Sequence, residues 1–181
     1  MKRNRIISIG VLVVTVLVIV GIYFVKNADK QSTASNDVPV VTDVTAVGAN
    51  YALDAEKIDL TEMQKENVPI LIDFGSSTCG PCIEMAPYLK TIHEEMLGKA
   101  IVQYVDVGKY PEITNDFPIT VTPTQVLINA DGSPYIPSSD IGMEFILYDS
   151  KETGEHVFTV HQGLLTVEQM RSILEDMGVK Q

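Results

Sequence analysis

Cysteine is nearly missing from this chain: 181 residues hold two, Cys79 and Cys82. That excludes the framework of structural disulfides on which many small exported domains rely. A bridge between residues only three apart closes a very small loop and adds little stability through loop entropy. The pair is therefore better explained by chemistry than by architecture. Histidine is scarce too, at three. Two cysteines at this spacing are half of a common zinc set, but His93, His156 or His161 would have to supply the rest. No two of these have a ligand-pair spacing inside one turn. The pattern calls for no metal and no cofactor.

Acidic residues are absent before Lys26. The segment Ile6–Val25 is twenty residues without a charge, dominated by Val, Ile and Leu. As a helix it would be about 30 Å long, the thickness of a bilayer's hydrocarbon core. Lys2, Arg3 and Arg5 precede it and Lys26 follows, which favours a cytoplasmic N-terminus. A cleavable signal has an apolar stretch of roughly 7–15 residues and a small-residue cleavage site. This run is longer, and Lys26-Asn27-Ala28 is a poor site. Residues 1–26 thus read as a single-pass membrane anchor with the remainder extracytoplasmic, or secreted if the segment is removed. No cysteine follows the span, so a lipid attached there is excluded. After Lys26 there are nine Lys and Arg against 24 Asp and Glu, a formal −15 with His neutral. That charge repels phosphate backbones and excludes nucleic acid as a natural partner. Its simplest consequence is solubility.

Residues 27–50 are first small and polar, then mix Val with Asp and Thr, as a tether would, with a short strand near Pro39–Val47. Asp54 is placed to cap a helix over 55–67. Val68–Gly75, a continuous apolar run, predicts a buried central strand, with Asp73 as its one charge. Apolar residues at helical spacing predict a helix from Cys79 to about Leu97, kinked at Pro87. Strands are expected at Ala100–Val107, Val121–Asn129 and His156–Gly163, and a short helix at Pro111–Asp116. Thr166 is expected to cap a last helix that buries Met170, Ile173, Leu174 and Met177. Residues 133–150 read as an insertion of undefined structure. The whole predicts an α/β domain over 51–181, a mixed sheet flanked by helices.

Cys79-Gly80-Pro81-Cys82 sits where a strand and loop enter a helix. Unpaired N–H groups and a partial positive charge at that end favour a thiolate. The spacing puts both sulfurs on one helix face. Gly80 allows close approach, and Pro81 is tolerated in a first turn. Cys79 would attack a partner's disulfide, and Cys82 would then resolve the mixed disulfide. That second step needs a proton acceptor. Asp73, a buried carboxylate that needs an explanation in any case, is the candidate in the strand leading to the pair.

"ILIDFGSSTCGPCIEMAP" resembles the active-site segment of the thioredoxin family, "TPT" at Thr122–Thr124 resembles its cis-proline turn, and "QGLLTVEQMRSIL" resembles its last strand end and last helix. The likeness implies a thioredoxin-like fold behind the anchor and a Cys79–Cys82 redox-active disulfide. It implies Asp73 as the buried proton acceptor. It also implies a cis Pro123 against the sulfurs, with Thr122 and Gly163 joining Gly80 and Pro81 in the substrate surface. The family usually has Trp just before the first Cys and near the strand end; this chain has no Trp, and Thr78 and Gly75 stand there. Tyr104 stands where many members place a Lys beside the buried Asp, and Ile83 where a basic residue is frequent. Both changes remove positive charge near the thiols. Gly-Pro between the cysteines favours, by resemblance, a reductase of disulfides in exported proteins such as apocytochrome c. A membrane thiol electron-transfer protein would supply the electrons. A disulfide-forming oxidase and a non-catalytic binding module of the same fold are the alternatives. His161 reads as a strand-end surface residue.

Overall fold

Ile70–Gly75 (β1) is buried along its whole length, because it lies inside the five-stranded sheet between two other strands and both of its faces are covered. The structure is a computed structural model that describes residues 48–180. The expected anchor at 1–26, the strand near Pro39–Val47 and all but the last few residues of the tether lie outside the described residues. Among the described residues no helix is long and apolar enough to cross a membrane.

Leu60–Met63 (α1) precedes β1. Then come Gly80–Met96 (α2), Ile101–Asp106 (β2), Thr124–Ile128 (β3), Ile146–Asp149 (β4), His156–Gln162 (β5) and Val167–Asp176 (α3). Short 3₁₀ helices occupy Ala49–Tyr51, Gln64–Glu66 and Pro111–Asp116. The sheet order is β2-β1-β3-β5-β4. Strands β1 and β2 are parallel, and every other pair is antiparallel. The expected mixed sheet flanked by helices is therefore what forms.

Alternation along each strand divides the core into two layers. Leu71, Val102 and Leu127 pack with Met85, Leu89 and Ile92 of α2 and with Met170, Ile173 and Leu174 of α3. Ile70, Ile72, Phe74, Val105, Val126 and Val160 pack with Met63 and Ile113 on the other face. Helix α2 runs through Pro87 as one 17-residue element. Thr166 and Gln169 form the capping box of α3, as the sequence pattern requires.

Three expectations are corrected. Asp54 caps no helix. Its segment is pinned alongside β2 by Tyr104 N–H to Leu53 O at 2.7 Å and Ala55 N–H to Tyr104 O at 2.8 Å, so Asp59 caps the shorter α1, accepting from Glu62 N at 3.1 Å. The strand expected from Val121 starts at Thr124, because the cis Thr122–Pro123 bond precedes it. Residues 133–150 are not an undefined appendage. Pro134 bridges to Ile128, Tyr135 is 1% exposed in the α2–α3 layer, and the segment ends as edge strand β4. The Tyr135 hydroxyl donates to Asp176, and its carbonyl accepts from Thr159. Asn50, the last residue of the expected tether, meets β2, its carbonyl accepting from Gln103 Nε2 at 3.0 Å.

Tyr135 therefore tests whether this segment belongs to the core. Tyr135→Ala should destabilise the domain by about 3–5 kcal/mol, the usual cost of deleting a buried aromatic. Ile136→Ala, next to it but 70% exposed, should stay within about 0.5 kcal/mol. Urea denaturation midpoints compare the two.

Candidate active site

The sequence Ser76-Ser77-Thr78 leaves β1 as a tight loop, with Cys79 N–H donating to Ser76 O at 3.1 Å. That turn delivers Cys79 to the N-cap of α2 in an extended conformation. Its Sγ accepts from the Cys82 backbone N–H at 3.3 Å, so the sulfur satisfies one of the helix's unpaired donors. Cys79 and Cys82 form a disulfide with Cα atoms 5.3 Å apart. Cys79 is half-buried and Cys82 is 6% exposed. The outer sulfur can be reached by a partner, whereas the inner one is shielded. Gly80 and Pro81 are exposed beside them in the first turn.

Three more expected residues converge here from the start of β3 and the end of β5. Thr122–Pro123 is cis, and Thr122 O lies 3.5 Å from Cys79 Sγ. In the disulfide that sulfur carries no proton; as a thiol it could donate to this carbonyl. Gly163 N–H donates to Pro123 O at 2.9 Å, which ties the two loops together. Gly163 has φ +114°, a region readily open only to glycine.

Asp73 is 2% exposed and shares with Cys82 a cavity of about 300 Å³, also lined by Leu53, Asp54, Ser76 and Tyr104. Burial pushes its pKa up to about 7, and the hydrogen bond from Gln125 opposes that rise. Tyr104 is its register partner on β2. Burial, then Asp106, Asp73 and Asp54, push the Tyr104 phenol up to about 12. The group beside Asp73 is thus a neutral phenol rather than a cation. The phenol ring also fills the space over Gly75, where an added Cβ would come 2.7 Å from Tyr104 Cε2 and 3.4 Å from Cys82 Cβ.

Gln125 is not among the residues expected from the sequence, and His161 was expected at the surface. Gln125 is fully buried. It donates from Nε2 to Asp73 Oδ1 at 2.8 Å and to Gly163 O at 3.2 Å, while its Oε1 meets His161 Nδ1 at 2.7 Å. His161 is half-buried, and burial lowers its pKa. The available signal was a polar side chain at Gln125 in phase with the apolar Leu127: a buried amide requires partners. The remaining histidines are engaged elsewhere, His93 with Val102 O at 2.8 Å and His156 with Phe158 O at 3.0 Å. Among the described residues no group of three or more His, Cys, Asp or Glu could hold a metal ion.

Two outcomes are expected. Gly75→Ala should cost about 1–3 kcal/mol by overpacking, and less in a Tyr104→Ala background, a non-additivity that a double-mutant cycle in denaturant reads directly. For Asp73, the folded-state pKa near 7 lies above the ordinary carboxyl value of 3.8. The native state then holds the extra proton between those values. Its contribution is least costly below pH 4, and stability is lost as pH rises towards 7. Asp73→Asn should remove this slope, shrinking the stability lost between pH 4 and pH 8 by something on the order of 4 kcal/mol.

Set beside known proteins, the chain matches the thioredoxin family model over residues 54–140. It is 39% identical over 66 residues to chloroplastic thioredoxin Y1 of Arabidopsis thaliana, covering 36% of this chain and 38% of that protein. It is 36% identical over 74 residues to a thioredoxin of Mycobacterium bovis, covering 41% of this chain and 63% of that one. A solved structure of chloroplastic thioredoxin z, 22% identical, covers 70% of this chain and 96% of its own with a TM-score of 0.47. The chain spans between 38% and 63% of the length of these two curated relatives. In the segment around Cys79 and Cys82 the chain is thus similar to thioredoxins, by the family model and by the curated relatives alike.

Proposed function

We propose that this protein is a thiol–disulfide oxidoreductase that reduces disulfides. The observation that carries this reading is an accessible Cys79 at a helix N-terminus, bonded to a shielded Cys82 that shares a cavity with a buried Asp73. In the dithiol form, the Cys79 thiolate attacks one sulfur of a partner disulfide; a Cys79–partner bond forms and the other partner sulfur leaves as a thiolate. Cys82 passes its proton to the Asp73 carboxylate. Its sulfur attacks Cys79 Sγ, the mixed disulfide breaks, and the second partner sulfur leaves with the electron pair. Two electrons pass from the dithiol to the partner, leaving Cys79–Cys82 oxidised. Thr122, Pro123, Gly163, Gly80 and Pro81 form the surface against which the partner chain lies. Thr122 O, already within 3.5 Å of Cys79, marks where an extended segment would dock beside the reacting sulfur.

The direction follows from the charges. A strong oxidant is one whose dithiol form is stabilised. Here the cavity beside Cys82 is lined by Asp54, Asp73 and neutral groups, without Lys or Arg. A thiolate gains little there, so the disulfide is favoured and the dithiol gives up its electrons readily. With residues 1–26 as an anchor and the domain outside the cell membrane, the partners would be exported proteins with disulfides. A membrane thiol electron-transfer protein would regenerate the dithiol.

The purified full chain, equilibrated in thiol redox buffers, should show one reversible two-electron couple at about −250 mV or lower, abolished by Cys79→Ser. A midpoint at about −120 mV would reverse the direction to disulfide formation. The lack of any couple would leave a thioredoxin-like binding module instead.

A further inference from the structure

Tyr104 on β2, Asp73 on β1, Gln125 on β3 and His161 on β5 occupy one cross-strand row. They continue, on the face covered by α2 and α3, the rows that Leu71, Val102 and Leu127 begin. Three of these four polar side chains make a chain of direct hydrogen bonds: His161 Nδ1 to Gln125 Oε1 at 2.7 Å, and Gln125 Nε2 to Asp73 Oδ1 at 2.8 Å. The orientation of the amide is decided by its surroundings. Nε2 faces two oxygens, Asp73 Oδ1 and Gly163 O, so the other end is the carbonyl, and His161 must carry a proton on Nδ1 to donate to it. Gln125 is thereby held at both ends and has only its N–H to offer Asp73.

From this geometry we infer that Gln125 is a positioning residue for the resolving step, and that His161 sets it by locking the amide with its N–H towards Asp73. The inference rests on the oxidoreductase reading above. An N–H aimed at the carboxyl favours the ionised form, which is the form able to take the Cys82 proton. Were the amide to turn over, its carbonyl would face Asp73 and favour the protonated form, which cannot accept. The group that lowers the proton affinity of Asp73 is this amide. The other groups around it are the neutral Tyr104 phenol from β2, Asp54 across the cavity, and Cys82 from α2. Asp106 acts on Tyr104. Around His161 the neighbours are Gln125 and the ring of Phe145, at 6.0 Å between centroids. The same amide reaches Gly163 O, so the loop that is tied to Pro123 is also tied to the proton acceptor.

The test uses the full chain with Cys79 loaded as a mixed disulfide with 5-thio-2-nitrobenzoate, whose release by Cys82 is followed by absorbance across pH. Gln125→Leu should move the midpoint of that profile upward by about one pH unit, slowing release roughly fivefold at pH 7. The rates should converge in alkaline solution, where a thiol ionises without an acceptor. His161→Ala should shift it in the same direction by less, and His161→Gln, which restores an N–H donor, should bring it back. A profile unmoved in Gln125→Leu overturns the inference. So does a His161→Gln profile that matches His161→Ala, which would mean that ring packing, not the donor, matters. Should Gln125→Leu not fold, the two His161 variants carry the comparison. The ¹³C carboxyl signal of Asp73, titrated in the disulfide form, requires no turnover. If the wild-type chain releases no thiol, the oxidoreductase reading falls. The carboxyl titration still decides the role of Gln125: an Asp73 midpoint that rises in Gln125→Leu upholds it, and one that stays put overturns it.

Discussion

A carboxyl group in the middle of a five-stranded sheet has to be accommodated before the layers around it can close. Asp73 lies on β1, an interior strand, on the face that α2 and α3 cover, and an unpartnered charge there would be costly. The structure meets that constraint with the amide of Gln125 across β1 and β3 and with a cavity between β1, the Leu53–Asp54 segment and α2. Much of the site's geometry follows from this accommodation. Gln125 in turn needs partners for its other atoms, and these are His161 on β5 and the carbonyl of Gly163. The loop that carries Gly163 is then bonded to Pro123, whose neighbour Thr122 meets Cys79. A short series of hydrogen bonds thus connects the buried carboxyl to the cis-proline turn, whose Thr122 carbonyl lies beside the outer sulfur.

The sheet's register does much of this positioning at no extra cost. Because neighbouring strands pair Tyr104 with Asp73, Asp73 with Gln125, and Gln125 with His161, side chains from four strands fall in one line on the same face. A shift of a single residue in any strand would turn that residue to the opposite layer. The apolar residues two positions away, Leu71, Val102 and Leu127, hold the register by packing on α2 and α3. Core packing and site geometry are therefore set by the same pairings.

This division explains how much the sequence disclosed. Local signals were legible. They include the helix that begins at Cys79, the central strand with its one charge, the capping box at Thr166, and the residues that surround the pair. Each depends on spacing of a few residues or on a motif. What could not be read were contacts set by register between distant strands. Gln125 and His161 are 36 residues apart, and neither pattern alone indicates that they meet. The cap at Asp54 failed for the same reason: a local propensity gave way to pairing with β2, 50 residues further on. Residues 133–150, polar at first and rich in Pro and Ser, look like surface chain. Yet Tyr135 anchors them in the core, and β4 extends the sheet to a fifth strand.

The pairing of Gly75 with Tyr104 shows how the departures from the family's usual residues belong together. The resemblance places Trp at the first position and Lys at the second. Here the phenol occupies the space that a larger residue at position 75 would need, since even a Cβ would come within 2.7 Å of the ring. Tyr104 would not pack well without Gly75, because a bulky residue at 75 would collide with its ring. The exchange also replaces a cation near Asp73 by a neutral group that stays neutral until far above physiological pH. Burial is then opposed by the Gln125 amide alone. A carboxyl held near neutrality by one hydrogen bond is sensitive to that bond's direction, and it is His161 that fixes the direction. The loss of a lysine on one side of Asp73 and the presence of a buried amide on the other are, physically, two parts of one arrangement.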